Sequence, residues 1–396
     1  MSYSDQFFNA IGISGERGSV ERFAKLSGVP AQRLKFYNHN NVLPSGSDLD
    51  RVIKGAGITE LLLKLKMGRV DKSISDAIQF YADEISELLA RYNPEAESPK
   101  TECKLEFETS LGKLYRGDCI RFLKSIDNDS IDLVFADPPF NLSKLYPSEI
   151  DDRLKTENYL HWCQEWLFEC ARVIKPGGAL FLWNLPKWNS SLSSYIESFL
   201  TFRNWIGVDI KYSLPISNRL YPSHYSLLYF IKGERPNTFN PDRLPMQVCP
   251  KCYGDLKDYG GYKDKMNPAG VNMSDIWLDI PPVRHAKYKR RDGSNELSLK
   301  LLDRIIQMAT KEGDVVLDPF GGAGTTYMAA ELKGRRWLGC EIGPIDVIVE
   351  RFNLIEKERE IIDSYRKNLN SLFPENIKHN REKLGLWTCE TVRNPA

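Results

Sequence analysis

Long apolar sequence is what this chain has least of. Its 396 residues hold no stretch approaching the roughly 18 uninterrupted apolar positions that a membrane helix needs, which predicts a protein with no membrane span. The opening residues, Met1-Ser2-Tyr3-Ser4-Asp5, lack the basic-then-apolar layout of a secretory signal. An excess of one charge is missing too. Against 54 Lys and Arg stand 53 Asp and Glu, a formal net charge of +1, so attraction to a polyanion must come from local clusters. Eight cysteines, mostly without a near partner, make no disulfide framework and predict free thiols in a reducing compartment, the cytoplasm. Internal repeats and low-complexity tracts are absent. What remains is an ordinary globular composition, 42% hydrophobic and 27% charged, long enough for one large domain and a small one.

The first part of the chain reads as helical. Val20, Phe23, Ala24, Leu26, Val29, Leu34 and Tyr37 follow a helical period broken at Gly28. This predicts a helix over Val20–Leu26, a turn at Ser27-Gly28, and a second helix opened by Pro30, since proline suits a first helical turn. The spacing resembles the helix-turn-helix of phage-repressor-type regulators, and an ordinary helical hairpin is the alternative. Its second helix would present Gln32, Arg33, Lys35 and Asn38 to base edges or phosphates. A further helix is expected from Ser75 as N-cap to Tyr92. The polar, proline-punctuated stretch that follows gives the organisation 1–92 helical domain, 93–104 linker and 105–396 second domain.

From Leu105 the pattern alternates between short apolar strands and amphipathic helices, the signature of a doubly wound, mostly parallel α/β sheet. Strands are expected at 131–136, 179–183, 205–212, 225–231, 315–317 and 337–340, with helices at 162–173, 299–310 and 326–332. Lys175-Pro176-Gly177-Gly178 reads as a turn. In open α/β sheets ligands sit beyond the carboxyl ends of the strands, and two segments stand there. Asp137-Pro138-Pro139-Phe140 closes the 131–136 run. Asp318-Pro319-Phe320-Gly321-Gly322-Ala323-Gly324-Thr325-Thr326 lies between a strand and a helix, where glycines admit close backbone approach and the helix start offers free N–H groups. Glu341 ends the next strand, placed to accept hydrogen bonds from ribose hydroxyls.

Together, and in this order, these segments resemble the β group of amino-group DNA methyltransferases that use S-adenosylmethionine. The resemblance covers roughly residues 105 to 355 and implies the methyltransferase fold with circularly permuted motif order. It also implies that Asp318, Phe320, Gly322 and Thr325 surround the methionine part of the cofactor, Glu341 the ribose, and Asp118 of Gly117-Asp118-Cys119 the adenine. The catalytic group would be Asp137, Pro138, Pro139 and Phe140. An exocyclic amine is a poor nucleophile because its lone pair is conjugated into the ring. A carboxylate and a backbone carbonyl accepting its two N–H groups would favour a more tetrahedral nitrogen, and positioning would do most of the rest. Two prolines stiffen that carbonyl's turn, and Phe140 offers a flat face to a base flipped out of the duplex. Methylation at cytosine carbon would need a cysteine after a proline, and none of the eight cysteines follows one.

Adenine N6 in double-stranded DNA is the expected target, because Asp heads the tetrapeptide. Cytosine N4 is the alternative, and a DNA-binding regulator with a decayed catalytic half is the alternative from another class. A companion restriction endonuclease and a homodimer are partners the resemblance admits. One departure stands out: where the family often has Lys-Pro before the helix leading to the glycine loop, this chain has Leu297-Ser298, with Asn295-Glu296 as candidates for that pocket.

The long segment 213–295 is the expected target-recognition insert. Its Cys249-Pro250-Lys251-Cys252 has half of a zinc-ribbon spacing, and His285 could add a third ligand, but without a second pair a plain turn is the reading and no metal is expected. Arg284 to Arg291 carries Arg284, Lys287, Lys289, Arg290 and Arg291, a cluster suited to phosphates. Charge reversal at Arg290 and Arg291 should weaken DNA binding on every sequence and flatten its salt dependence, measured by fluorescence anisotropy over a salt series.

Overall fold

The computed structural model describes residues 6–13, 18–40, 42–90, 103–142, 154–210, 217–218, 220–244, 257–262, 265–267, 270–281, 296–367, 379–380 and 382–385. The basic cluster 284–291, the Cys249–Cys252 pair and most of the 93–104 linker lie outside the described residues. The chain divides into two compact units, Met1–Lys100 with Arg153–Trp162, and Thr101–Asp152 with Cys163–Ala396. No helix of the described residues is long and apolar enough to cross a membrane.

In the first unit, Ser19–Ser27 and Ala31–Asn40 are the two helices expected around Gly28, which takes φ 73° to end the first of them. Phe23, Val29 and Leu34 bury the seam between them, together with Val52 of the helix Ser47–Ala56 and Leu63 of Glu60–Lys66. Close approach occurs at Gly55, where a Cβ would come within 2.9 Å of the Ser27 side chain. Two of the side chains expected to reach DNA are engaged inside the unit. Asn38 Oδ1 accepts from the Phe8 backbone N–H at 3.1 Å, and Arg33 pairs with the buried Asp48 at 2.6 Å. Lys35 pairs with Glu21 on the surface. The helix expected from Ser75 starts instead at Lys72, with Asp71 as its cap accepting from the Ile74 N–H, and the chain turns at Tyr81 before Ala82–Ala90.

The second unit is built on a sheet of nine strands among the described residues. In chain order they are β1 (Lys104–Glu108), β2 (Gly112–Arg116), β3 (Ile131–Ala136), β4 (Ile174–Asn184), β5 (Thr201–Asp209), β6 (His224–Ile231), β9 (Ile276–Trp277), β10 (Val315–Asp318) and β11 (Arg336–Glu341). Two short strands between them, β7 (Arg243–Leu244) and β8 (Val271–Asn272), form a separate antiparallel ribbon. The spatial order is β1-β2-β11-β10-β3-β4-β6-β5-β9. Strands β2, β11, β10, β3 and β4 run parallel, and β6 lies antiparallel between β4 and β5. The fold is therefore α/β with a mostly parallel sheet.

Burial explains the sequence texture. β3 and β6 are covered on both faces and so read as continuous apolar runs. The β6 strand lies inside the sheet between β4 and β5, and β9 joins its edge, so these parts of the 213–295 segment belong to the sheet. The expected turn at Lys175 to Gly178 is instead a bulge inside β4, with Gly177 at φ 78°, because its backbone continues to pair with Lys232 at the end of β6. Helix Leu299–Ala309, expected to keep a polar face, buries Asp303 and Arg304 as well. They tolerate burial because they are paired: Arg304 binds Asp279 through two nitrogens at 2.9 and 2.7 Å and Asp242 through Nε at 3.0 Å, and Asp303 binds Lys333 and Arg366.

Strands β10 and β3 are parallel neighbours at the centre of the sheet, with the chain leading away from them in opposite directions. This is the place where such sheets open a crevice for ligands. Packing beneath it is tight. The Tyr327 ring, stacked on Trp337 at 5.0 Å, lies over Gly339, where a Cβ would fall 2.4 Å from the ring. Gly339→Ala should therefore lower stability by about 1–3 kcal/mol, seen as a lower denaturant midpoint with an unchanged slope.

Candidate active site

The glycine loop begins where β10 ends. Asp318 is 3% exposed, and its carboxylate is turned into the protein, accepting from the Phe320 N–H at 2.9 Å and the Thr326 hydroxyl at 2.5 Å. Burial pushes its pKa well up, the two hydrogen bonds oppose this, and the charges of Asp137 and Glu341 raise it further. Asp318 thus ties the strand end to the first turn of helix Thr325–Leu332. Phe320 packs its ring edge-on against Trp166 at 5.0 Å.

Gly322 and Gly324 take φ 51° and 69°, a left-handed backbone that other residues adopt at a cost. At Gly324 a Cβ would also meet Ile348 at 2.8 Å. Gly322 is exposed at the apex, and its N–H donates to Glu341 Oε2 at 2.8 Å. The other oxygen of Glu341 accepts from the Gly343 N–H at 2.7 Å. Burial raises the Glu341 pKa, and these backbone donors oppose that rise. Thr325 is also occupied: its hydroxyl accepts from Arg351 at 2.6 Å and donates to the Leu297 carbonyl at 3.4 Å.

Asp118 lies beside this group. The ends of β2 and β11 pair at Arg116 and Glu341, and the Gly117 N–H donates to the Glu341 carbonyl at 3.0 Å. Asp118 caps the helix Cys119–Lys124 by accepting from the Arg121 N–H. The carboxylates of Asp118 and Glu341 therefore flank neighbouring strand ends.

The tetrapeptide leaves β3 on the same edge. Asp137 is half-buried and close enough to Asp318 to raise its pKa. Pro138 is buried, and Phe140 is only 7% exposed, its ring 6.2 Å from Tyr225, which in turn lies 4.8 Å from Trp183. The face expected to lie open at Phe140 is thus part of an aromatic cluster. The Phe140 carbonyl accepts from Trp188 Nε1 at 2.7 Å, and Asn141 follows at φ 54°. Trp188 opens the helix Pro186–Ile196 just after β4.

All ten expected site residues fall on this one edge of the sheet. Residues not foreseen are Trp188 and Tyr225 at the tetrapeptide and Tyr327 and Arg351 under the glycine loop. Of these only Arg351 leaves a trace in sequence, as an arginine three residues after the buried Ile348 on the same helix.

With this geometry in hand, comparison with known proteins is decisive. The N6_N4_Mtase family, described as DNA methylase, matches residues 131–348. The chain belongs to this family. The type II methyltransferase M.BamHI of Bacillus amyloliquefaciens is 48% identical over 369 residues, 92% of this chain and 87% of that protein. The DNA adenine methyltransferase YhdJ of Escherichia coli (strain K12) is 29% identical over 61% of this chain and 83% of its own. A solved structure titled PvuII DNA methyltransferase (cytosine-N4-specific) covers 67% of this chain and 95% of that one, with 20% identity and a TM-score of 0.45.

The chain is a site-specific DNA methyltransferase, and its cofactor is S-adenosylmethionine. The residues at the strand ends fit that cofactor. Two carboxylates, Glu341 and Asp118, suit the hydroxyls and amine of an adenosine, and an exposed glycine apex before a helix start suits an amino-acid tail. In this enzyme the Trp188 bond to Phe140 holds the tetrapeptide's last carbonyl. Trp188→Phe should lower kcat by about tenfold, the worth of one buried hydrogen bond, while S-adenosylhomocysteine affinity in calorimetry stays at the wild-type value.

Proposed function

We propose that the enzyme methylates an exocyclic amine of a base in double-stranded DNA, with adenine N6 as the target. The observation carrying this reading is the side-by-side placement of Asp137 and the glycine loop at the ends of adjacent parallel strands, β3 and β10. When bound, the cofactor supplies a methyl group on a positively charged sulfur. Asp137 accepts one N–H of the amine, and a backbone carbonyl of the tetrapeptide accepts the other. Both bonds localise the nitrogen lone pair in an orientation fixed before the base arrives.

Pro138 and Pro139 offer no N–H that would compete for the carbonyls. Phe140, Tyr225 and Trp183 form a buried aromatic cluster beside the tetrapeptide, an apolar surrounding that suits a planar base. Glu341 holds the ribose and Asp118 the adenine of the cofactor, while Gly322 and Thr325 shape the loop around its methionine end. Asp318 and Phe320 act from beneath, one through the Thr326 hydroxyl and the other against Trp166. In the same reading the basic run 284–291 grips phosphates, and the N-terminal unit presents Gln32 and Lys35 to DNA.

Adenine is favoured because Asp heads the tetrapeptide, and the relative YhdJ is named for adenine. Cytosine N4 is the second reading, since the same acceptors fit its amine. Incubation with duplex DNA and cofactor, followed by nucleoside mass spectrometry, should yield N6-methyladenine. N4-methylcytosine would replace the base assignment, and no methylated amine would remove the reading altogether. Asp137→Ala should lose at least about a hundredfold in methyl transfer and keep wild-type affinity for S-adenosylhomocysteine.

A further inference from the structure

Arg351 sits where four stretches of chain meet under the glycine loop. It is 0% exposed and lies on the helix Asp346–Asn353. Its Nη1 donates to the Ala323 carbonyl at 3.1 Å and to the Thr325 hydroxyl at 2.6 Å. Its Nη2 lies 3.2 Å from Glu358 Oε2, on the helix Ile355–Lys367, and 3.8 Å from Glu296 Oε1, just ahead of the helix Leu299–Ala309. Glu296 and Glu358 are buried as well.

A buried ion cluster is a costly way to gain stability, because apolar side chains of similar volume commonly do as well. What apolar packing does not supply is direction. One guanidinium nitrogen fixes two acceptors on either side of Gly324, the residue at φ 69° that starts the helix Thr325–Leu332. Its other nitrogen is held by a carboxylate on a different helix, so the pair of loop acceptors is referred to a rigid support. Planarity and several fixed donors make arginine suited to this task and lysine not.

The cluster also settles where Glu296 is spent. The sequence offers Asn295-Glu296 for the pocket that a Lys-Pro pair fills in related enzymes. Glu296 is instead turned to Arg351, and its negative charge would repel the carboxylate of the cofactor's methionine end.

We propose that Arg351 is a positioning residue for the cofactor loop, with Glu296 and Glu358 holding its guanidinium in register. The proposal rests on the S-adenosylmethionine assignment, deepens it, and adds no step to the reaction. Arg351 sets the position of Ala323 and Thr325, and through them the start of the helix that faces the cofactor. Its loss therefore acts on cofactor binding and leaves the chemistry at Asp137 alone.

The test uses the full-length chain, with S-adenosylhomocysteine titrated by calorimetry alongside steady-state kinetics and thermal melting. Arg351→Lys keeps the charge but loses the fork. It should weaken S-adenosylhomocysteine binding by about tenfold or more, the worth of a charged hydrogen bond, and raise KM for the cofactor in proportion while kcat changes less than about threefold. Glu358→Gln removes the charge that holds the guanidinium without touching the loop and should move affinity in the same direction by a smaller factor. Folded variants that melt earlier yet bind S-adenosylhomocysteine as wild type does would overturn the proposal. So would failure of both variants to fold, since the cluster would then be a stability element. The wild-type titration keeps the two ideas apart: no binding there would overturn the cofactor assignment itself.

Discussion

Everything at the site depends on the parallel pairing of β10 with β3, Val316 opposite Leu133 and Leu317 opposite Val134. Two segments far apart in sequence leave the sheet at the same height because their strands share one register. A slip by one residue would turn each strand's side chains to the opposite face. Both strands are packed on both faces, so such a slip would have to repack two layers of side chains at once. The methyl-transfer geometry is therefore inherited from core packing rather than from the loops that display it.

The loops then solve an electrostatic problem. Asp137, Asp318 and Glu341 converge on one edge, and the charges of Asp137 and Glu341 make that of Asp318 harder to hold. The chain answers with neutral donors where it can. Asp318 takes a hydroxyl and a backbone N–H, and Glu341 takes two backbone N–H groups. Because these donors belong to the loop itself, the charges and the loop shape each other. A cofactor entering such a site meets groups already ordered, and little conformational entropy is left to lose.

Much of this was legible in sequence, for a definite reason. Strands buried on both faces print continuous apolar runs, and motifs at their carboxyl ends stand out against polar loops, so the sheet class and the edge that carries the ten expected residues could be read by number. The parts that could not be read depend on contacts distant along the chain. Nothing near Trp188 shows that its indole will meet the Phe140 carbonyl 48 residues earlier. Nor does Lys175 to Gly178, with its turn-forming residues, show that Lys232 will pair with it and make a bulge. Phe140 is visible as part of the tetrapeptide, but its neighbours Tyr225 and Trp183 come from antiparallel strands whose pairing the sequence does not announce. At the N-terminal unit, side-chain type suggested Asn38 and Arg33 for an outside partner, whereas the nearer Phe8 N–H and Asp48 claim them.

Arg304 has a wider effect than its own ion pairs. By gripping Asp242 and Asp279, it brings together two points of the chain 37 residues apart and fixes them to a buried helix. Between them β7 pairs with β8, which closes the chain from Leu244 to Val271 into a loop, and β9 joins the sheet beside β5. For such a loop the entropy of closure grows only with the logarithm of length, about 0.6 kcal/mol for each doubling. Insertions and deletions there are thermodynamically cheap, and they leave β3 and β10 where they are. The length of that loop can therefore change at little cost to the edge on which the methyl group moves.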